Sequence, residues 1–307
     1  MEPYASIAVL SDTPGARLFL VDGTYELFRH FFAVPAHRNS AGQEVGAVRG
    51  VLTSVASLIE QGADHVGVAT DHVIESFRNE LWPGYKTSAG MDPVLLGQFG
   101  LLEDALASMG VMVWPMVDLE ADDALASAAA TGAADPDVRQ VVICTPDKDL
   151  GQCVVGARVV QMDRRKRQVI DEDGVRAKFG VAPASIPDWL ALVGDSADGF
   201  PGLPGWGAKT AAAVLARYGH LEAIPNAAGK WEVPVRGAPT LAATLADQRP
   251  LAGLFKDLAT LRRDPPVISG YSELRWTGPS PGFADLCERV LDAPGLAAKA
   301  EQLAAGR

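Results

Sequence analysis

The chain has 307 residues, 48% of them hydrophobic and 21% charged, and a formal net charge of −11. This is the profile of a soluble globular protein of one large or two moderate domains, and its acidity argues against a strongly basic nucleic-acid-binding face. No run of about 18 or more apolar residues suggests a membrane span, no basic-then-apolar start marks a signal peptide, and Cys144, Cys153 and Cys287 form no Cys-x-x-Cys pair, so a reducing cytoplasm is the expected setting.

Residues 1–16, with Pro3, Pro14 and Gly15, read as a loose lead-in. The apolar run 17–21 then ends at Asp22-Gly23, the form of a buried parallel strand with an acid at its C-terminal tip. Val48, Val51, Leu52, Val55, Leu58 and Ile59 recur at helical spacing, which predicts an amphipathic helix over about 46–60. A second strand over 65–71 closes on Asp71. Residues 73–92 lose periodicity, as a functional lid or binding loop does. A helix over 95–109 and a strand over 111–114 follow, then the acid-rich start of an alanine-rich helix at Glu120-Ala121-Asp122-Asp123. The run 140–145 is a further strand, leading to Asp147-Lys148-Asp149. Strands alternating with helices imply a mostly parallel α/β sheet, whose ligands bind at the carboxyl ends of the strands.

Residues 159–162 and 168–170 read as two strands around the basic turn Asp163-Arg164-Arg165-Lys166-Arg167, taken here as a solvated hairpin turn. Beyond Gly180 come a helix over 188–193, a glycine-dense segment from Gly194 to Gly207, and a helix over 208–218 that stops at Gly219. Residues 226–239 read as irregular, 241–261 as helix broken near Pro250, and 283–291 as the last strong helix. The change of texture divides the chain into an α/β part over 1–182 and a helical part over 183–307.

Each acid alone has an ordinary reading, Asp22 as a turn residue and Asp71 as a helix cap. Together they do not: Asp22, Asp71 and Asp147 sit at strand tips on one edge of the sheet, and another strand leads to Glu120. Like carboxylates at close range repel, so a divalent cation is the natural counter-charge. Oxygen-only donors suit Mg²⁺ or Mn²⁺ rather than zinc. The number of acids suggests two ions, which would clamp the attacking and leaving oxygens of a phosphoryl transfer. In the glycine-dense segment, Gly202, Gly205 and Gly207 free backbone N–H groups ahead of a helix N-terminus, a phosphate grip to which Lys209 adds a point charge.

The order of Leu20-Val21-Asp22-Gly23, Phe77-Arg78, Gly84-Tyr85-Lys86, Glu120-Ala121-Asp122-Asp123, Thr145-Pro146-Asp147-Lys148-Asp149-Leu150, Gly194-Asp195 with Asp198, and Pro201-Gly202 through Gly207-Ala208-Lys209-Thr210-Ala211 resembles the 5′-nuclease family. That family comprises the 5′-3′ exonuclease domain of bacterial DNA polymerase I and the flap endonucleases. The resemblance runs from about Arg17 to Tyr218, with weaker similarity to about Pro266. It implies a PIN-like core followed by a helix-hairpin-helix element that grips duplex DNA, with two Mg²⁺ ions cutting near the 5′ end of a branched strand. By position, the family's metal-binding acids fall on Asp22, Asp71, Glu120, Asp122, Asp123, Asp147, Asp149, Asp195 and Asp198. The resemblance makes residues 73–92 an arch over the single strand, with Arg78 and Lys86 facing the scissile phosphate as catalytic cations. DNA contacts would come from Tyr85, Gly202, Gly205, Gly207, Lys209 and Thr210, and from Arg29 on the 5′ side unless that residue is only helix surface. The hairpin is also a candidate K⁺ site.

The chain departs from the family pattern at Ala89 and Pro204, where basic residues are common, and at Gly199, where asparagine is common. With its net acidity, this predicts weak, salt-sensitive DNA binding unless the metal ions are present. The expected activity is that of a metal-dependent, structure-selective 5′-3′ exonuclease or flap endonuclease, monomeric, and either free-standing or part of a longer protein. The alternatives are a PIN-type ribonuclease and a non-catalytic DNA-junction binder.

Overall fold

The structure, a computed structural model, describes residues 14–307; most of the lead-in expected over residues 1–16 lies outside them. The first apolar run forms β1 (Ala16–Asp22), followed directly by α1 (Gly23–Ala33) and then by α2 (Gly46–Glu60) and β2 (His65–Asp71). The short helices α3 (Phe77–Leu81) and α4 (Pro93–Leu96) precede α5 (Phe99–Ser108), β3 (Met112–Met116) and α6 (Ala121–Ala134). Next come β4 (Val138–Cys144), a 3₁₀ turn at Asp149–Cys153, the hairpin of β5 (Val159–Asp163) and β6 (Gln168–Ile170), and α7 (Glu172–Phe179). The helical part comprises α8 (Ile186–Val193), α9 (Ala208–Tyr218), α10 (Ala238–Asp247), α11 (Arg249–Ala259), α12 (Phe283–Arg289) and α13 (Pro294–Ala305).

The strands form one sheet in the order β3-β2-β1-β4-β5-β6, parallel except for β6 against β5. Every residue of β2 is buried, as a strand covered on both faces requires. From β1 the chain steps outward to β2 and β3, then returns to the other side of β1 for β4. The order therefore reverses between β1 and β4, and at such a switch point the connecting loops part and leave a crevice at the carboxyl edge. Val21 pairs with Val68 and with Cys144, which sets Asp22 between the tips of β2 and β4.

One face of the sheet packs on α1, α2 and α5 through Val48, Leu52, Leu102 and Leu106. The other packs on α6 through Leu18, Leu20, Leu125 and Ile143. A third core joins α8 to α11, where Phe200 stacks on Phe255 with ring centroids 5.5 Å apart. The expected break near Pro250 is real: Pro250 starts α11 within its first turn, a position where its missing N–H costs nothing.

Two features differ from expectation. Residues 73–92 do not stand free as an arch throughout. Ser76 caps α3, Tyr85 is buried, and the N–H and Oγ of Ser88 both donate to Glu75 Oε1 at 2.7 Å. The residues after about 260 do not stay with the helical part either. Leu261, Ile268 and Leu274 join the core beside α6, and α12 and α13 complete the core on the α2 and α5 side. Trp276 fixes this return, its backbone N–H donating to Asp64 O (2.8 Å) and its Nε1 to Met109 O (2.9 Å). Such contacts form at long sequence separation and leave no local pattern to read.

Candidate metal centre

The acids at the switch point are placed by backbone geometry. Asp22 ends β1 and caps α1, accepting hydrogen bonds from Tyr25 N (2.8 Å) and Thr145 Oγ1 (2.9 Å). Burial outweighs both bonds and, with Asp71 and Asp147 nearby, pushes its carboxyl up to about 7. Asp71 ends β2 and accepts from Ala121 N at 2.7 Å, which ties this tip to the start of α6. Asp147 follows β4 and accepts from Asp149 N at 2.9 Å. Burial, then Asp147, Asp22 and Asp149, pushes Asp122 well above the usual carboxylate range. Acids from β1, β2, α6 and the segment after β4 thus share one field.

A second group forms beside the first. One carboxylate oxygen from each of Asp149, Asp195 and Asp198 lies within 4.8 Å of the others. Asp195 and Asp198 sit on a tight turn closed by Asp195 N to Phe200 O (2.8 Å), Phe200 N to Asp195 O (3.0 Å) and Gly199 N to Asp195 O (2.8 Å). Glycine at 199 has a geometric cause: its φ is +83°, and an added Cβ would lie 2.0 Å from Gly84 O. This close approach joins the turn to the 73–92 segment, where Lys86 N donates to Asp198 O (3.0 Å) and Trp82 Nε1 to Gly199 O (3.0 Å).

Lys86 stands between the groups, 2.8 Å from Glu120 Oε2 and 3.3 Å from Asp198 Oδ1. Burial opposes its charge, but Asp198 and Glu120 outweigh that and hold the ammonium well above its ordinary range. Tyr85 is placed differently from expectation. It is buried, and its hydroxyl donates to Glu120 Oε2 at 3.3 Å, so its ring offers no free face to a base.

Arg78 and Asp123 also depart from the roles expected of them. Arg78 is only 1% exposed, and its guanidinium grips both oxygens of Asp123 at 2.7 and 2.8 Å. It further donates to Leu258 O (2.8 Å) and Thr260 O (3.2 Å). The same carboxylate accepts from Glu120 N (3.0 Å) and Arg262 N (2.8 Å). With both oxygens so occupied, Asp123 is not available as a ligand and Arg78 does not reach toward a substrate. The pair locks α3, α6 and the end of α11 together directly beneath Glu120, whose Oε1 lies 3.3 Å from Arg78 Nη1.

In the hairpin between α8 and α9, Gly202 is buried against α8, where a Cβ would meet Gly194 N at 2.4 Å. Gly205, Gly207 and Lys209 are exposed at the start of α9, with Thr210 half-buried behind them. Arg29 is half-buried and donates to Glu26 Oε2 at 2.6 Å. It lines an open cavity of about 610 Å³ with His30, His37, Arg49 and Arg164. Arg165, Lys166 and Arg167 are exposed on the β5–β6 turn, but Asp163 is buried and Arg164 is largely covered, donating to Ser54 O (2.8 Å), so the turn is solvated only in part. A link that sequence reasoning missed is Lys148, whose Nζ lies 2.6 Å from Asp195 Oδ2; its place between two acids was the signal.

The donor set fits hard divalent cations. All the converging groups are oxygens, and Asp149 Oδ1 is buried without a hydrogen-bond partner. Among the described residues, Asp149, Asp195 and Asp198 are close enough to share a cation, and Asp22, Asp122 and Asp147 add their charges beside them. A consequence for stability follows. Asp22, Asp71, Asp122, Asp149 and Asp198 are all raised by burial. A carboxyl with a raised folded pKa contributes stability below its unfolded value and loses it as pH rises through the folded one. In chelator, Tm should therefore fall between pH 4 and about 7, the folded value of Asp22. Added Mg²⁺ should flatten that slope; a Tm that rises over this interval in chelator would contradict the cluster.

The comparisons with known proteins agree with this architecture. The family model described as "5′-3′ exonuclease, N-terminal resolvase-like domain" matches residues 17–180, and the one described as "5′-3′ exonuclease, C-terminal SAM fold" matches residues 181–281. A 5′-3′ exonuclease of Buchnera aphidicola is 32% identical over 250 residues, covering 80% of this chain and 81% of its own. DNA polymerase I of Pseudomonas aeruginosa is 39% identical over 259 residues, covering 81% of this chain but only 27% of that protein, so the chain spans about a quarter of the polymerases it matches. In fold, the bacteriophage T5 flap endonuclease solved with DNA and metal ions superposes with a TM-score of 0.63 at 19% identity, covering 94% of this chain and 99% of its own. The chain belongs to the 5′-3′ exonuclease family.

Proposed function

We propose that the protein is a divalent-cation-dependent 5′-nuclease that hydrolyses DNA phosphodiesters near single-strand/duplex junctions. The observation that carries this reading is the convergence of Asp149, Asp195 and Asp198, with Lys86 on Asp198 and Glu120 and with Asp22, Asp122 and Asp147 in the same electrostatic field. The 5′-3′ exonuclease relatives and the T5 structure solved with DNA and metal ions support it.

Two Mg²⁺ or Mn²⁺ ions, when bound by these acids, would neutralise the phosphate and supply an activated nucleophile and leaving-group stabilisation. The chain's own groups do the rest. Lys86 is kept protonated by Glu120 and Asp198, so it is a fixed positive charge at the edge of the acids, where charge builds on a scissile phosphate. Tyr85 and Arg78 act on Glu120 and through it on Lys86, as positioning residues. The exposed Gly205, Gly207 and Lys209 at the N-terminal end of α9 would hold a duplex phosphate away from the cut. The turn carrying Asp195 and Asp198 belongs to the same connection between α8 and α9, so DNA grip and acid group share one link. Arg29, Arg49 and Arg164, gathered around one cavity, supply a basic surface that the overall charge of the chain conceals.

The test incubates the protein with a matched 5′-flap DNA, single-stranded DNA and single-stranded RNA, each with Mg²⁺ and with chelator. Cleavage of the flap near its junction in Mg²⁺ alone is expected, and Asp147→Ala should abolish it. Cleavage confined to RNA would make the protein a ribonuclease instead. Flap binding without cleavage, unchanged by Asp147→Ala, would make it a junction binder.

A further inference from the structure

We infer that Lys148 is a built-in counter-ion of the Asp149, Asp195 and Asp198 group, one that holds the group together in the absence of a divalent cation and weakens that cation's binding by competing for Asp195. The inference rests on reading this group as a cation site.

The geometry leaves Asp195 one free oxygen, and Lys148 occupies it. Asp195 Oδ1 accepts from Ala197 N at 3.0 Å, and Oδ2 lies 2.6 Å from Lys148 Nζ. Of the other two acids, Asp198 has its Oδ1 3.3 Å from Lys86, and Asp149 Oδ1 is buried with no hydrogen bond. Lys148 and Lys86 thus each cover one oxygen of this group, while Asp149 Oδ1 carries no hydrogen bond. A hard cation draws oxygens to about 2.0–2.6 Å, and an ammonium 2.6 Å from the same oxygen repels it, so Lys148 competes with the ion for Asp195 Oδ2. It can move aside, since its side chain is 32% exposed, whereas that of Asp195 is 3% exposed.

Two consequences follow from charge alone. Without a cation, Lys148 offsets the mutual repulsion of Asp149 and Asp195, which lie on segments brought together only by the fold. With a cation arriving, the broken pair is a cost set against binding. An anion approaching the group, such as a DNA phosphate, gives the released ammonium a new partner. Substrate should therefore tighten cation binding at this group, and by reciprocity the cation should tighten substrate binding.

The test is an equilibrium titration of Mn²⁺, followed by the loss of the free-ion EPR signal, on the DNA-free full chain after chelator treatment. Asp149→Asn identifies which bound ion belongs to this group. Lys148→Met should bind that ion about tenfold more tightly than the wild type, because a unit charge has left the neighbourhood of a mostly buried acid. Lys148→Arg, which keeps the charge, should stay within about twofold of the wild type. In chelator, the Tm of Lys148→Met should fall below that of Lys148→Arg. Equal Mn²⁺ affinity in the wild type and Lys148→Met would overturn the inference while leaving the cation site standing. If Asp149→Asn removes no bound Mn²⁺, the cation-site reading itself fails, and this inference with it.

Discussion

Arg78→Met should destabilise the fold by about 3–5 kcal/mol, the range found when one partner of a buried ion pair is removed. The reason lies in what the variant leaves behind. Asp123 is almost fully buried and would keep only its backbone donors, Glu120 N and Arg262 N, against its charge. The carbonyls of Leu258 and Thr260 would lose their donor as well. Arg78→Lys should not rescue it, since a single ammonium cannot reproduce the two parallel bonds at 2.7 and 2.8 Å and the two carbonyl contacts together. Denaturant unfolding checks this directly. A variant of wild-type stability that has lost only activity would return Arg78 to the phosphate-facing role that its sequence motif suggests.

Lys86→Ala should behave in the opposite way, losing rate rather than fold. The side chain is partly exposed and lies on Glu120 and Asp198 at the edge of the acid groups. Removing a preorganised charge from such a position costs about 10²–10³-fold in kcat. Duplex affinity should change little, because the hairpin at Gly205 to Lys209 is untouched. Steady-state kinetics on a flap substrate, with binding measured in Ca²⁺, separates the two. A rise in KM with kcat intact would make Lys86 a binding residue only.

The strand tips were legible because a buried parallel strand has a simple sequence form, an unbroken apolar run that stops at a polar residue. Asp22 and Asp71 stand at the ends of β1 and β2, and Asp147 lies just beyond β4, for that reason. The roles of neighbours on one helix were harder to read. Glu120, Asp122 and Asp123 lie within four positions at the start of α6, and each residue along a helix turns the side chain by about 100°, so they do not all face one centre. An acid three residues into a helix is also a natural partner for the N-cap N–H, which is the place Asp123 takes. Arg78 carried no signal of burial, since its partners lie 45 and about 180 residues away. The return of the chain after residue 260 to the sheet was hidden for the same reason. α1 was hard to read because its pattern does not match its burial: Phe32 is 75% exposed while Glu26 is buried.

The acidity of the chain is also explained by position. Much of the excess negative charge is gathered at the switch point and in the turn at Asp195 and Asp198, while arginines from α1, α2 and the β5–β6 turn collect around one cavity. A net charge of −11 describes neither region, and local charge rather than the total governs where a polyanion docks.

The most direct test of the central claim is to map the products from a labelled 5′-flap DNA in Mg²⁺ and in excess chelator, for the wild type and for Asp149→Asn. The convergence of the acids predicts incision close to the flap junction by the wild type in Mg²⁺, none in chelator, and at least a hundredfold slower incision by Asp149→Asn. Incision that persists in chelator, or that Asp149→Asn leaves at its wild-type rate, would contradict it.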